Sequence, residues 1–183
     1  LRMEFEQSPI QGVILIKPKV FGDNRGLFVE TWQKERYEEI GITYPFVQDN
    51  HSRSVYGVLR GLHYQREHAQ GKLVSVSLGS VYDVAVDIRP DSPTFGKWYG
   101  VELSAENQWQ LWIEPGLAHG FAVTSETAHF HYKCTDYYFP QYEAGIHFAD
   151  PDLAIDWKIS SPVLSEKDKV APSFKQFCRA LGL

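Results

Sequence analysis

The chain has 183 residues, a length typical of one domain whose core is large enough to need no disulfide bonds. Apolar residues make up 43% and aromatic residues 14% of the sequence, which excludes a disordered or coiled-coil chain. The net charge of −5 excludes nonspecific binding to nucleic acids or anionic membranes, although a few arginines could still hold one anionic ligand. We therefore expect a single domain over residues 1–183.

The sequence carries no sign of export or membrane insertion. No stretch approaches the roughly 20 apolar residues of a membrane span, and the N-terminus lacks the pattern of a signal peptide. We therefore expect a cytoplasmic protein. The two cysteines, Cys134 and Cys178, form no metal-ligand motif and are expected to be small buried side chains.

Short strands dominate the predicted secondary structure. Apolar or alternating segments mark the strands, and turns rich in proline or glycine separate them. In chain order they are residues 13–16, 73–78, 81–88, 99–103, 111–113, 121–124 and 129–134. Helices are expected only at residues 33–40 and after Ser165, which resembles an N-cap. This pattern favours a mainly β fold with a few short helices, which we interpret as a jelly-roll barrel.

Alternation within the predicted strand 129–134 assigns its side chains to two faces. Phe130 and Tyr132 share the inward face, and His129 and His131 share the outward face. An inward tyrosine has a hydroxyl group that needs a hydrogen-bond partner, which a ligand cavity or a polar group of the core can supply.

A cluster of cations follows a polar segment near the middle of the chain. Arg60, His63 and Lys72 lie within thirteen residues. An apolar strand pattern carries Arg60 and His63 between glycines that allow close approach of a ligand. These residue types suit proton transfer next to an anionic substrate. A polar strand edge with solvated cations fits the same spacing equally well.

The segment Pro115 to Phe121 contains the PGxxH pattern with which cupin barrels place a histidine, here His119, on a strand that faces the interior. Metal-binding cupins also carry an earlier HxH pair, which this chain lacks, so we expect no catalytic metal. His129 and His131 could act as two metal ligands on one strand face, but an outward polar face is the preferred interpretation.

A third cluster surrounds Asp168 near the C-terminus. Ser165 followed by Asp168 is ordinary capping at the start of a helix. Alternatively, the Asp168 carboxylate reaches a histidine and fixes the tautomer of its ring, as a general base requires. Spacing alone leaves both interpretations open.

Eight ordered segments together resemble the dTDP-4-dehydrorhamnose 3,5-epimerase family. They are residues 19–26, 46–52, 58–65, 70–74, 83–87, 103–107, 116–121 and 164–168. The resemblance implies a cupin-type jelly roll (a double-stranded β-helix) that needs no metal and no organic cofactor. It also implies a homodimer in which N-terminal strands cross to the partner.

The resemblance implies a substrate, dTDP-4-dehydro-6-deoxy-D-glucose, and a product, dTDP-4-dehydro-L-rhamnose, on the route to dTDP-L-rhamnose and bacterial surface polysaccharide. Removal of the hydrogen at C3 or C5 yields an enolate at the C4 ketone, so each inversion needs a base, an oxyanion stabiliser and an acid. By analogy, His63 paired with Asp168 is the base, Lys72 stabilises the enolate and Tyr132 is the acid.

The resemblance also implies a set of substrate-binding residues. Arg60 corresponds to a phosphate contact, and His119, with Asp83 as its carboxylate partner, corresponds to a contact at the sugar end. Tyr138 is the candidate for stacking on thymine, and Phe28 is a second one because Leu27 stands where relatives often carry an aromatic residue. The remaining nucleotide-contacting positions are Arg25, Glu30, Gln48, Asp49, Asn50, Glu143 and Lys167.

Three alternatives compete with double epimerisation. A related enzyme of the same family inverts only C3 or only C5, although Tyr132 favours both inversions. A metal-dependent cupin oxygenase or isomerase would use His119, His129 and His131. A non-catalytic sugar-binding cupin would bind dTDP without proton exchange, which the coexistence of a base, a cation and an acid disfavours.

Overall fold

The computed structural model describes residues 3–183 and confirms a mainly β fold. The strands are β1 (Glu4–Gln7), β2 (Val13–Lys17), β3 (Val20–Asp23), β4 (Gly26–Val29), β5 (Gln48–Val55), β6 (Leu59–Gln65), β7 (Lys72–Leu78), β8 (Ser80–Asp87), β9 (Trp98–Ser104), β10 (Gln110–Ile113), β11 (Leu117–Val123), β12 (Thr127–Cys134) and β13 (Glu143–Gly145). The helices are α1 (Lys34–Glu39), α2 (Glu166–Lys169) and α3 (Phe174–Ala180), with one 3₁₀ turn at Pro140–Tyr142. No helix within residues 3–183 is long and apolar enough to cross a membrane.

Two antiparallel sheets carry the fold. The first sheet has six strands in the order β1-β2-β10-β7-β12-β5, and the second has five in the order β13-β6-β11-β8-β9. Strands β3 and β4 form a separate hairpin. Strand β5 is therefore an edge of the first sheet, and β13 beside β6 is an edge of the second. The candidate site lies where these edges face each other.

The main core lies between the two sheets, because alternate side chains of each strand point to it. Val74 and Phe130 of the first sheet and Phe121 of the second belong to this cluster. The second sheet is also covered on its other face, where Val84 and Val86 pack with residues of the C-terminal segment. Strand β8 is therefore buried on both faces, with Val81 and Ala85 in the main core and Val84 and Val86 on the opposite side.

All seven predicted strands are present, and most boundaries agree within one or two residues. The largest difference is in β11, which begins at Leu117 rather than at residue 121, so His119 lies within a strand. Strand β6 agrees with the apolar strand pattern expected around Arg60 and His63. Strands β1, β3, β4, β5 and β13 were not predicted because they are exposed or short and lack clear alternation. Both helix starts are confirmed, with Gln33 and Ser165 as the capping residues.

Candidate active site

The centre of the site is a hydrogen-bonded pair of His63 and Asp168. His63 lies on β6, and its Nε2 is 2.7 Å from Oδ1 of Asp168 on α2, 105 residues away in the sequence. The second carboxylate oxygen of Asp168 accepts a hydrogen bond from the backbone N–H of Gly61. The backbone N–H of Asp168 donates to Ser165, so capping and pairing use different atoms of one residue. The predicted contact between His63 and Asp168 is therefore present.

The ionisation of the Asp168 carboxyl decides which ring nitrogen of His63 carries no proton. Burial acts to raise the pKa of Asp168, but the hydrogen bonds from His63 and Gly61 together with the other polar contacts outweigh it and hold this pKa below its usual value. An ionised carboxylate only accepts hydrogen bonds, so Nε2 of His63 must carry the proton that it shares with Asp168. In the neutral imidazole, Nδ1 then has a free lone pair and can accept a proton.

We expect the Asp168 carboxyl to make the stability of the fold depend on pH. Its lowered pKa in the folded state contributes stability above the pKa of the unfolded carboxyl, near pH 4, and this contribution is lost as the pH falls further. Melting temperatures measured between pH 6 and pH 3 should therefore fall less steeply for Asp168→Asn than for the unchanged protein. Asp91→Asn, at an exposed loop position, is the matched control. Equal slopes for all three proteins would contradict the prediction.

Lys72 and Tyr132 lie on neighbouring strands of the first sheet, across the interior from His63. Lys72 Nζ is 5.4 Å from the centre of the Tyr132 ring. Burial lowers the pKa of Lys72, while the Cys134 thiol and the Asp83 carboxylate act in the opposite direction. Burial also raises the pKa of Tyr132, so its phenol stays protonated at neutral pH.

A second histidine–carboxylate pair lies deeper in the interior. His119 on β11 is buried, and its Nε2 is 2.7 Å from Oδ1 of Asp83 on β8. Burial lowers the pKa of His119, against the influence of Asp83, which raises it. Oδ2 of Asp83 is buried and finds no partner among residues 3–183. The pair can therefore hold a neutral imidazole at the inner end of the site.

Polar side chains of β5 and β6 line the opening between the two sheets. Arg60 lies there, and two of its guanidinium nitrogens donate to Ser54 Oγ at 3.2 and 3.1 Å. Gln48 donates to Asn50 through its side-chain amide at 3.2 Å and accepts from the backbone N–H of Tyr138. Ser54 was not predicted as a site residue, because in the sequence it is one of several polar residues of the segment 48–54 and only the structure shows that it is buried.

Three of the expected nucleotide contacts form one cluster on this rim. The Tyr138 hydroxyl donates to Glu143 Oε2 at 2.6 Å, and Lys167 Nζ is 2.7 Å from the same oxygen. The hydrogen bond to Glu143 raises the pKa of Tyr138 to about 12. Burial acts to raise the pKa of Glu143, but Lys167 and Tyr138 outweigh it and lower this pKa. The exposed Tyr138 ring is thus held in place beside an ion pair.

Three other expected contacts lie outside the cleft. Arg25 lies in the β3–β4 hairpin, where it pairs with Asp23. Glu30 pairs with Arg36 at 2.6 Å. Asp49 pairs with Lys133 at 3.0 Å on the outer face of the first sheet, opposite to the face of Asn50. Within one chain, the structure does not bring these three residues together with His63.

Two cavities meet at the reaction centre. The lateral cleft has a volume of about 450 Å³ and opens between β5 and β6; its walls include Asn50, Arg60, Tyr132, Ser165 and Asp168. The end cavity has a volume of about 490 Å³ and extends toward α3. Both cavities are lined by His63, Lys72 and His119. The base candidate and the cation candidate therefore stand where the two spaces join.

The three histidines of the metal-dependent alternative do not share a site. His119 faces the interior, whereas His131 accepts or donates a hydrogen bond with Ser77 and stacks on His51 at the outer face. His129 also contacts His51. Among residues 3–183, no group of three or more histidine, cysteine or carboxylate side chains is arranged to hold a metal ion.

Comparisons with known proteins agree with the fold and place the chain in one enzyme family. The family model described as dTDP-4-dehydrorhamnose 3,5-epimerase matches residues 7–176. A dTDP-4-dehydrorhamnose 3,5-epimerase of Pseudomonas aeruginosa is 55% identical over 174 residues, which cover 94% of this chain and 96% of the relative.

Solved structures show the same likeness. The 3,5-epimerase of Legionella pneumophila in complex with dTDP-4-keto-L-rhamnose is 55% identical, with a TM-score of 0.95 over 98% of this chain and 97% of the other. The Bacillus anthracis 3,5-epimerase with TDP and pyrophosphate bound is 42% identical, with a TM-score of 0.92 over 94% of this chain and 100% of the other. The expected cupin-type fold is thereby confirmed.

Proposed function

The chain belongs to the dTDP-4-dehydrorhamnose 3,5-epimerase family and is an isomerase of that type, and from this premise we propose how its residues perform the reaction. The substrate is dTDP-4-dehydro-6-deoxy-D-glucose, and inversion at C3 and C5 gives dTDP-4-dehydro-L-rhamnose. The observation that carries the proposal is that His63 and Tyr132 line one cleft from opposite sheets. Inversion of a carbon needs a base and an acid on opposite faces of the sugar ring.

The base is Nδ1 of His63. Asp168 engages Nε2, orients the ring and stabilises the imidazolium that forms when His63 takes a proton from C3 or C5. The electron pair of the broken C–H bond moves to the C4 ketone oxygen and forms an enolate. Because the same carbon later regains a proton, the reaction involves no net oxidation and requires no redox cofactor.

Lys72 is the cation that stabilises the enolate oxygen. It lies in a buried environment, where a charge interacts more strongly with an oxyanion than it does in water. Tyr132 then donates its phenolic proton to the opposite face of the carbon, and the raised pKa keeps it protonated until that step. His119, held by Asp83, contacts the sugar at the inner end of the cleft.

The nucleotide occupies the outer part of the lateral cleft. Arg60 can bind the diphosphate through a guanidinium that Ser54 already orients. Gln48 and Asn50 offer amides at the same edge, and the Tyr138 ring offers a stacking surface for thymine. The ligands in the two solved relatives, dTDP-4-keto-L-rhamnose and TDP with pyrophosphate, support a dTDP-sugar as the ligand.

The active assembly is a homodimer in which the β3–β4 hairpin crosses to the partner. The hairpin exposes Phe21, Leu27 and Phe28, whose exposed fractions are 41%, 56% and 67%. Apolar side chains exposed side by side are typical of an interface with another protein. In this arrangement Arg25 and Glu30, which lie outside the cleft of their own chain, contribute to the cleft of the partner.

A mixing experiment tests the crossing of the hairpin. Arg25→Ala and His63→Ala should each be inactive or nearly so as pure proteins. If Arg25 acts in the partner's cleft, each mixed dimer has one intact site, and random assortment restores about a quarter of full activity. If Arg25 acts in its own cleft, every site carries one defect and mixing restores nothing. The exchange of subunits is confirmed separately with two affinity tags.

The reaction itself is tested by NMR of the product formed in D2O. We expect deuterium at both C3 and C5 and the L-configuration, because each inversion replaces a carbon-bound hydrogen with one that derives from solvent. Deuterium at one carbon only would identify the protein as a single-inversion enzyme of the same family. Binding of dTDP without any exchange would contradict a catalytic function.

A further inference from the structure

The end cavity gives the reaction centre a second connection to the surface. At its inner end are His63, Lys72 and His119, which it shares with the lateral cleft. At its outer end are Arg66, Ala180 and Leu181, all of which are exposed. The cavity therefore reaches from the base candidate to the surface beside the end of α3, away from the edge strand β5.

Double inversion requires the base and the acid to return to their starting protonation states between the two inversions. The first inversion leaves His63 as an imidazolium and Tyr132 as a phenolate, with the sugar ring between them. Before the second inversion, His63 must lose one proton and Tyr132 must gain one. A direct transfer between them would have to cross the ring, and a nucleotide in the lateral cleft excludes water from that side.

We propose that the end cavity is the route by which His63 exchanges its proton with solvent between the two inversions, while the nucleotide still occupies the lateral cleft. This inference rests on the proposed function. A cavity of about 490 Å³ has room for a file of several waters, since each water takes about 30 Å³ in the liquid. The proton released by His63 passes to this water, and Tyr132 regains a proton from the same water pool when the sugar moves.

The lining of the cavity suits water at both ends. His63 and Lys72 offer polar atoms inside, and Arg66 and the side-chain carbonyl of Gln70 offer them near the surface, since the Gln70 amide nitrogen is already bound to Asp136. The walls between are apolar and include Leu117. Water held mainly at the ends of such a passage remains mobile enough to exchange with solvent.

Plugging the outer end tests the route. Leu181→Trp and, as a second variant, Ala180→Trp place a large ring at the mouth, whereas Lys175→Trp adds the same ring elsewhere on α3, outside the cavity. In D2O, we expect the ratio of doubly to singly deuterated product to fall about tenfold in the two plugged variants. The rate of the first exchange and the KM should stay within about twofold of the values for the unchanged protein. The control variant keeps the original ratio.

Three outcomes overturn the inference: an unchanged ratio in both plugged variants, a raised KM with an unchanged ratio, and an equal loss of both exchanges. The second would mean that the cavity seats part of the sugar. Failure of the proposed function is recognised separately, because the unchanged protein would then give no doubly deuterated product. Melting curves show whether the exposed substitutions preserve the fold.

Chemical rescue provides an independent measurement. His63→Ala removes the ring at the inner end of the cavity, so added imidazole can enter from the outer end and restore exchange at saturating substrate. The double variant His63→Ala/Leu181→Trp should lose this rescue, whereas His63→Ala/Lys175→Trp should retain it. Equal rescue in both double variants would show that imidazole enters by another way and would overturn the route.

Discussion

His63→Ala is expected to lower turnover by about 10²- to 10⁴-fold, the contribution typical of a positioned general base. Deuterium should enter neither C3 nor C5, because no other described group with a free lone pair is held against Asp168 on this wall of the cleft. Binding of dTDP should persist, because Arg60 and the cluster of Tyr138, Glu143 and Lys167 do not depend on the imidazole. Turnover, D2O exchange and calorimetric titration with dTDP measure these three quantities.

The matched control for His63 is His129→Ala, which removes an imidazole from the outer face of the first sheet. It should leave turnover unchanged. Substitution of His63 also leaves the buried Asp168 carboxylate without its partner, which costs stability of about 1–3 kcal/mol, so a melting curve must accompany the assay. Near-normal deuterium incorporation by a folded His63→Ala protein would overturn the assignment of the base.

Tyr132→Phe is expected to lower formation of the inverted product by about 10²- to 10⁴-fold while proton abstraction continues. The substitution removes one hydroxyl group and leaves the ring, which packs against the core cluster between the sheets. Without an acid on the opposite face, the enolate is reprotonated from the side of His63. The NMR spectrum should therefore show deuterium in recovered substrate of unchanged configuration.

If Tyr132→Phe exchanges deuterium without inverting the carbon, Tyr132 is the acid of the reaction and does not act only in holding the structure. Tyr138→Phe is the control, because it also removes a single hydroxyl, here one that donates to Glu143 on the rim of the cleft. It should raise KM and leave the ratio of inversion to exchange unchanged. An equal loss of exchange and inversion in Tyr132→Phe would instead place Tyr132 in binding or in support of His63.

The sequence predicted those strands whose apolar side chains form a short run or alternate with polar ones. In β7, Val74 and Val76 alternate with serines, and in β8 the apolar residues alternate with two aspartates. Strand β5, which forms the edge of the cleft, is polar on both faces and was seen only as a polar cluster. A strand whose side chains face a polar cleft open to solvent gives little periodicity, so the strand that borders the site was not predicted.

The chemistry of single residues was also visible in the sequence. Alternation placed Tyr132 on the inward face of β12, and the structure confirms that it packs with the core cluster. For Asp168 the sequence left capping and pairing open, and the structure contains both. The backbone N–H forms the cap with Ser165, and the carboxylate remains free for His63.

The sequence by itself determined which residue types are present, which strand faces they occupy and which family motifs they form, because these properties depend on neighbours along the chain. Only the tertiary structure decided that His63 meets Asp168 across 105 residues, that Tyr132 opposes His63 from the other sheet, and that a second cavity reaches the same base. It also placed Arg25 outside the cleft of its own chain. Such distances depend on how two sheets pack and where their edges stay open, and periodicity along one strand carries no information about either.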